Sequence, residues 1–163
     1  MAKLALIGQT DNMALFSPVL DGEKESELAK FIAYASQLTD PPLRNDLIII
    51  GARIKKMLDS CGAQENLFRR EGGNIVALPT LQILRSKNIG VLRLYACRIS
   101  DTVLIIGNGG VKKVRRYQQD PILNSHVELL KRLDKALQDR IEENDINPDD
   151  TEAVVSILKY LSF

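Results

Sequence analysis

The chain of 163 residues has no tryptophan, a single histidine and two cysteines. The cysteines, Cys61 and Cys97, and the histidine, His126, do not have the ligand spacing of a zinc site. The sequence also shows no Ser/His/Asp set and no pair of carboxylates typical of acid–base catalysis. We therefore predict that the protein holds no metal and no cofactor, and that His126 lies near the start of a helix without a role in an active site.

Long apolar runs are absent as well, since none reaches the roughly 18 residues that a membrane-spanning helix needs. The N-terminal apolar run, residues 4–7, stops at Gly8 without a small-residue cleavage site, which favours a first strand over a signal peptide. Without an export signal, the two cysteines are expected to be reduced thiols. These features predict a cytoplasmic protein with no membrane contact, of a length suited to one domain.

The net charge of the chain, +1, hides an uneven distribution of charge. Residues 66–116 contain ten lysines and arginines but only two anions, Glu71 and Asp101, a net charge of +8. The rest of the chain therefore carries a net charge of −7. Because local charge steers a protein to nucleic acid, this segment predicts a surface that binds a polyanion. The alternative is that these cations are merely solvated on exposed faces.

The most informative part of the basic segment is a predicted β-hairpin. Two apolar runs, residues 91–99 and 102–106, are joined by the turn Ser100-Asp101. The second run leads through glycines into four cations, Lys112, Lys113, Arg115 and Arg116. A hairpin that delivers glycines and four cations to one end of a sheet is suited to contact phosphates.

Side-chain alternation assigns the two faces of this hairpin. Leu92 and Leu94 point to one face, which we expect to pack on helices, whereas Arg93 and Tyr95 point to the other, which we expect to be open and basic. The glycines at 107, 109 and 110 indicate a turn or bulge. They do not form a nucleotide-binding phosphate loop, because the lysine–hydroxyl pair of that motif is missing.

The order of predicted elements is that of an α+β domain. Helices are predicted over residues 21–37, from Asp40-Pro41 to Gly62, from Pro121 to about Ile141, and after Asn147-Pro148. Strands are predicted at 4–7, at 13–16 ending at Ser17-Pro18, and at 67–70 and 74–78 before the hairpin. We expect a small antiparallel or mixed sheet with two N-terminal helices packed on one face and a C-terminal helical segment.

The predicted domain covers residues 1–146, and residues 147–163 form a C-terminal helical extension. This extension is nearly as apolar as it is polar, so its apolar side must be covered. It packs either on the domain or on a partner, and a homodimer through the C-terminal helix is one such arrangement.

Four segments occur in the order and at the spacing of a known protein family. They are residues 16–19 (FSPV), 61–62 (CG), 84–95 (LRSKNIGVLRLY) and 109–113 (GGVKK). Over residues 4–141 the chain thereby resembles the RelE/ParE toxin superfamily, and most closely its HigB-like branch of phage-derived proteins. The resemblance implies a sheet of the RelE type and the function of a toxin in a type II toxin–antitoxin pair.

Toxins of this superfamily typically enter the ribosome and cleave mRNA, whereas a sister branch inhibits DNA gyrase. The resemblance therefore implies two partners, mRNA on the ribosome and a cognate antitoxin protein. Cleavage by attack of a 2′-hydroxyl on the adjacent phosphodiester requires proton transfer and stabilisation of negative charge. The residues predicted to be catalytic are Lys112, Lys113, Arg93 and Tyr95. The residues predicted to bind nucleic acid are Arg69, Arg70, Arg85, Lys87, Arg115, Arg116 and Tyr117.

Several residues depart from the family pattern. Leu92 and Arg93 stand where the family has tyrosine and glutamate, Tyr95 stands where it has arginine, and Asn108 stands where a histidine commonly precedes the glycine. These departures favour an alternative function, that of a catalytically degenerate protein acting by binding, as a gyrase-type inhibitor or an interaction module. A third hypothesis, a self-assembling structural protein, is favoured by the apolar residues 153–163.

Overall fold

A computed structural model describes residues 1–79 and 90–163 of the chain. Its strands are β1 (Lys3–Gln9), β2 (Ala14–Val19), β3 (Arg69–Gly72), β4 (Ile75–Leu78), β5 (Val91–Ser100) and β6 (Val103–Lys112). Its α-helices are α1 (Glu27–Ala35), α2 (Pro41–Lys56), α3 (Pro121–Glu143) and α4 (Thr151–Tyr160). The predicted α+β class is confirmed. None of the helices in the described ranges is both long and apolar enough to cross a membrane.

The six strands form one mixed sheet in the order β1-β2-β6-β5-β4-β3. All neighbouring strands are antiparallel except β2 and β6, which pair in parallel from Ala14–Val103 to Phe16–Ile105. The predicted hairpin is confirmed as β5 and β6. Its second strand continues to Lys112, so the glycine segment lies within the sheet instead of following it.

The prediction that β2 ends at Ser17-Pro18 is wrong, because the strand continues to Val19. Pro18 pairs with Leu4 of β1, while the pairing with β6 on the other side stops at Phe16. A proline lacks the N–H of a ladder hydrogen bond, so a position with a neighbouring strand on one side only can accommodate it.

The capping residues in the sequence predicted the ends of α2 correctly but not the start of α1. Helix α2 begins at Pro41 after Asp40, and its final π-helical turn stops at Gly62, whose φ of 69° is in the left-handed region. Helix α1 does not start at Asp21 as predicted. It starts after Ser26, whose side chain accepts a hydrogen bond from the N–H of Ala29.

Both faces of the sheet are covered by helices. On one face, α1 and α2 contribute Leu28, Phe31, Ala35, Leu43 and Ile50 to a cluster with Leu15, Leu92, Leu94, Leu104 and Ile106. On the other face, α3 and α4 contribute Leu123, Val127, Leu130, Leu133, Val154 and Leu158 to a cluster with Phe16, Ala77, Tyr95, Cys97 and Ile105. Each helix buries an apolar stripe against the sheet, as expected for a layered domain.

The prediction of an open face bearing Arg93 and Tyr95 is therefore wrong. Arg93 is 1% exposed and Tyr95 is 0% exposed. Tyr95 packs in one cluster with the leucines of α3 and with Tyr117 from the segment before it. Both Arg93 and Tyr95 have large apolar portions, an aliphatic stem and an aromatic ring, which allow them to be buried.

The C-terminal segment packs on the rest of the chain. Val154, Leu158 and Leu161 belong to the same cluster as the buried residues of α3. The N–H groups of Ala2 and Phe163 each donate to the other residue's carbonyl, at 2.9 and 3.0 Å. The apolar side of α4, which suggested a homodimer, is thus covered within the chain itself.

The glycines of β6 allow close packing at two places. A β-bulge interrupts the pairing of β5 with β6 at this point, as Leu94 pairs with Gly109 but Ala96 with Ile106. A Cβ on Gly107 would lie 3.2 Å from the side chain of Leu130 in α3. A Cβ on Gly109 would collide with the carbonyl group of Arg93 on the neighbouring strand. The predicted bulge is confirmed, and the glycines also set how near α3 lies to the sheet.

We expect Gly109→Ala to lower the free energy of unfolding by roughly 1–3 kcal/mol or more, because its methyl group has no space beside the backbone of Arg93. Gly51→Ala is the matched control. Gly51 lies in α2 with open space around it, so alanine there should raise stability by about 0.5–1 kcal/mol. Urea titration of both variants measures the difference, and equal stabilities would contradict the close approach of β5 and β6.

Candidate nucleic-acid interface

Cations from two distant parts of the chain line one cleft of about 260 Å³. Strand β3 contributes Arg69 and Arg70, and the end of β6 contributes Lys112. The segment between β6 and α3 contributes the rest of the lining. The residues around this basic cleft are Arg69, Arg70, Glu71, Lys112, Arg115, Arg116, Tyr117 and Gln118. Six of the eleven predicted site residues are therefore brought together.

The segment before α3 is held in place by local hydrogen bonds. The side chain of Gln119 accepts a hydrogen bond from the N–H of Arg116 at 3.0 Å, which closes a short 3₁₀ turn. Asp120 then caps α3, since its Oδ1 accepts from the N–H groups of Ile122 and Leu123 at 2.9 and 3.2 Å. The fixed turn leaves Arg115 and Arg116 exposed on the side of the cleft.

Tyr117 anchors this segment to the sheet. Its ring meets the ring of Tyr95 edge to face, with centroids 5.8 Å apart and planes at 62°. Tyr117 is only 4% exposed, so it forms part of the floor of the basic cleft. Tyr95 is inaccessible beneath it, and burial raises the pKa of the Tyr95 hydroxyl well above its usual value.

Arg93 lies under the same end of the sheet. Its guanidinium group donates to the carbonyl oxygen of Pro79. The N–H of its neighbour Leu92 donates to the buried carboxylate of Asp46 in α2 at 3.0 Å. Burial, together with the nearby charge of Arg69, lowers the pKa of Arg93 to about 10. Arg93 therefore adds positive potential from below the cleft without reaching solvent.

Glu71 and Lys112 are the two titratable groups of the cleft with perturbed pKa values. Burial raises the pKa of Glu71, although Arg69, Lys112 and Arg93 oppose the shift. Burial and the charges of Arg69 and Arg93 lower the pKa of Lys112, against the opposite effect of Glu71. Lys112 is 3% exposed, and Glu71 Oε1 lies 3.4 Å from Nε of Arg69. Shifts of this kind, with specific charge partners in a cleft, are typical of functional sites.

Three predicted residues remain to be placed. Lys113 is exposed but does not line the basic cleft. Arg85 and Lys87 lie outside the described residues. Sequence reasoning missed Glu71 as a site residue, although it is one of only two anions in the basic segment.

No cluster of three His, Cys, Asp or Glu side chains suited to hold a metal ion occurs in the described part of the chain. Cys97 is fully buried, and burial raises the pKa of its thiol far above the usual value. A thiol in that state is a packing group and not a nucleophile.

Comparisons of the chain with protein-family models, with curated proteins and with solved structures gave no match. Membership of the RelE/ParE superfamily therefore stays a prediction, and the geometry of the basic cleft is the basis for proposing a function.

We expect Lys112→Met to raise the free energy of unfolding at pH 7, because the folded protein penalises the charge of Lys112. Between the lowered pKa of the folded state and the usual 10.5, the unfolded chain binds more protons, so stability rises with pH. The difference in free energy of unfolding between Lys112→Met and the wild type should therefore shrink as the pH approaches 10.5. Urea titrations at several pH values measure it, with Lys113→Met correcting for the loss of one charge. A Lys112→Met protein less stable than the wild type at pH 7 would contradict a net penalty on the charge of Lys112.

Proposed function

We propose that the protein binds RNA in the basic cleft and acts as a RelE/HigB-like toxin, a ribosome-associated endonuclease that cleaves mRNA. The observation that carries this proposal is the convergence of five cations, from β3 and from the end of β6 onward, around one cleft. Phosphate groups are the natural ligand of such a cleft, because its arginines and lysine outnumber its single carboxylate.

Several charged side chains in or beneath the basic cleft are buried, which distinguishes it from a patch of solvated surface charges. Arg69 is about one-third exposed, and Lys112 and Arg93 are almost fully buried. Charges in such surroundings are screened less by salt than charges on an open surface. Single-stranded RNA supplies one phosphate per nucleotide, so two or three successive phosphates would compensate the charge of Lys112, Arg115 and Arg116.

Glu71 and Lys112 have the chemistry that strand cleavage requires. The Glu71 carboxylate would take the proton of the 2′-hydroxyl, whose oxygen forms a bond to phosphorus as the bond from phosphorus to the 5′-oxygen breaks. The Lys112 ammonium would give its proton to the leaving 5′-oxygen. Arg69 and Arg115 would stabilise the added charge on the phosphate. The products are a 2′,3′-cyclic phosphate and a free 5′-hydroxyl.

The buried residues have supporting roles in this proposal. Arg93 and Tyr95, unlike Lys112, do not line the basic cleft, so we assign them positioning roles beneath it rather than contact with substrate. Arg93 supplies positive potential, and Tyr95 supports the ring of Tyr117.

A second candidate function is favoured by the burial of Arg93 and Tyr95. Two of the four residues predicted to be catalytic are inaccessible, and Asn108 occupies the position of the family's histidine. A catalytically degenerate protein of this type would keep the basic cleft as a binding surface only, as a gyrase-type inhibitor or an interaction module.

A toxin of this kind would also have a characteristic fold, location and partner. The sheet, with its two N-terminal helices on one face, would be of the RelE type, and the protein would act in the cytoplasm. A cognate antitoxin would cover the basic cleft with an acidic or amphipathic segment.

Glu71→Gln separates cleavage from binding. We expect induction of the wild-type protein to arrest growth and to produce cut mRNA, mapped by primer extension. Glu71→Gln should reduce cleavage on the order of 10²-fold or more, because its amide cannot accept the proton. It should bind RNA at least as tightly as the wild type, since it removes an anion from the cleft. Normal growth and intact mRNA on wild-type induction would reject the endonuclease and leave the binding function.

Arg115→Ala/Arg116→Ala tests RNA binding itself. The binding constant for single-stranded RNA is measured by fluorescence anisotropy at several salt concentrations. Loss of two phosphate contacts should reduce the magnitude of the slope of its logarithm against the logarithm of salt concentration by about 1.4. Lys55→Ala/Lys135→Ala is the matched control, because it removes two cations from α2 and α3, where their side chains are 77% and 78% exposed. Equal slopes for the two double variants would exclude the basic cleft as the binding site.

A further inference from the structure

A second cleft, of about 330 Å³, lies at the outer edge of β6. Strand β2 pairs with β6 only as far as Ile105, and within the described ranges β5 is the only strand beside the rest of β6. Helix α1 and the first turns of α3 border the space left at this edge. Tyr34 of α1, Asn108–Val111 of β6 and Ile122 of α3 are among the lining residues. We call this space the edge pocket.

The charged groups of the edge pocket are already engaged. The ammonium group of Lys30 forms ion pairs with Glu23 and Glu27. The carboxylate of Asp120 caps α3. Burial lowers the pKa of His126, which favours its neutral form. These groups do not select a charged ligand, so the edge pocket suits a neutral molecule.

Asn108 supplies an oriented hydrogen-bond donor. Its Oδ1 accepts from the N–H of Gly109 at 2.7 Å, which fixes the plane of the amide. In residues 1–79 and 90–163, no hydrogen bond uses its Nδ2. Gly109 and Gly110 line the edge pocket beside this amide, so a flat ring bound there would lie against the backbone of β6.

The walls of the edge pocket are suited to stacking. Tyr34 is 44% exposed and Ile122 is 68% exposed, although both are large apolar side chains. Single exposed apolar residues are common on proteins, but these two line the same pocket as an oriented amide. Single-stranded RNA is recognised by stacking of its bases on aromatic side chains such as Tyr34, with hydrogen bonds to the base edges.

The edge pocket and the basic cleft flank the same segment of the chain. Val111 and Asp120 line the edge pocket, whereas Lys112 and Gln118 line the basic cleft. An RNA strand with phosphates in the basic cleft would cross this segment to place a base in the edge pocket.

We propose that the edge pocket is a nucleobase subsite, in which one base of a bound RNA stacks on Tyr34 and accepts a hydrogen bond from Asn108 Nδ2. As a subsite for RNA it rests on the proposed function, because the basic cleft would deliver the strand. The pocket itself is assigned from its own geometry, so a free nucleoside tests it separately.

The test uses the four uncharged ribonucleosides, adenosine, guanosine, cytidine and uridine, titrated into the full chain and followed by NMR. At least one should cause saturable shifts of the Asn108 side-chain amide and the His126 ring. Asn108→Asp keeps the acceptor for the N–H of Gly109 but loses the donor. Asn108→Asp and Tyr34→Ala should each raise the dissociation constant of the preferred nucleoside about fivefold or more. Tyr160→Ala, at a tyrosine that is 84% exposed on α4, is the control and should have no effect.

The outcomes separate the subsite from the proposed function. Absence of saturable shifts with every nucleoside, or equal affinities for wild type, Asn108→Asp and Tyr34→Ala, would overturn the subsite whatever the basic cleft binds. The same variants are then compared on an RNA hexamer containing the preferred base. A hexamer affinity that Tyr34→Ala lowers but Arg115→Ala/Arg116→Ala does not would keep the subsite and reject the basic cleft.

Discussion

The packing of α3 on the glycine-containing half of β6 is the constraint on which the rest of the structure depends. Leu130 and Leu123 lie where side chains on Gly107 and Gly110 would crowd them. The helix can therefore lie close to the sheet and bury Tyr95. Its start is fixed by the cap at Asp120. The chain between β6 and α3 is thereby held across one end of the sheet, and this segment separates the basic cleft from the edge pocket.

The two clefts have different chemical character because their surroundings differ. In the basic cleft, cations outnumber the single carboxylate, and burial opposes the charged form of Lys112. In the edge pocket, Lys30 and Asp120 are already paired or engaged in capping. In the function proposed above, the basic cleft would bind phosphate and the edge pocket a neutral ring. A single strand of RNA contains both groups, so one ligand would satisfy both clefts.

Much of the fold could be predicted from local signals. Asp40-Pro41 and Gly62 marked the ends of the second helical segment, and the alternation of apolar residues predicted β5 and β6. Alternation correctly placed Leu92 and Leu94 on the face that packs on α1 and α2. The burial of the opposite face could not be predicted, because Arg93 and Tyr95 have polar groups as well as the apolar portions that are buried. The charge count identified most residues of the basic cleft. It could not show that Glu71 would lie among them, or that Lys113 would not.

The edge-to-face contact of Tyr95 and Tyr117 has an optical consequence, because the chain has no tryptophan. Indole emission, which usually masks that of phenols, is absent, so the ultraviolet fluorescence of the protein comes from its four tyrosines. One of them forms the floor of the basic cleft and touches a second, fully buried one. Displacement of the loop that carries Tyr117 would alter this emission, which gives the cleft an intrinsic, label-free reporter.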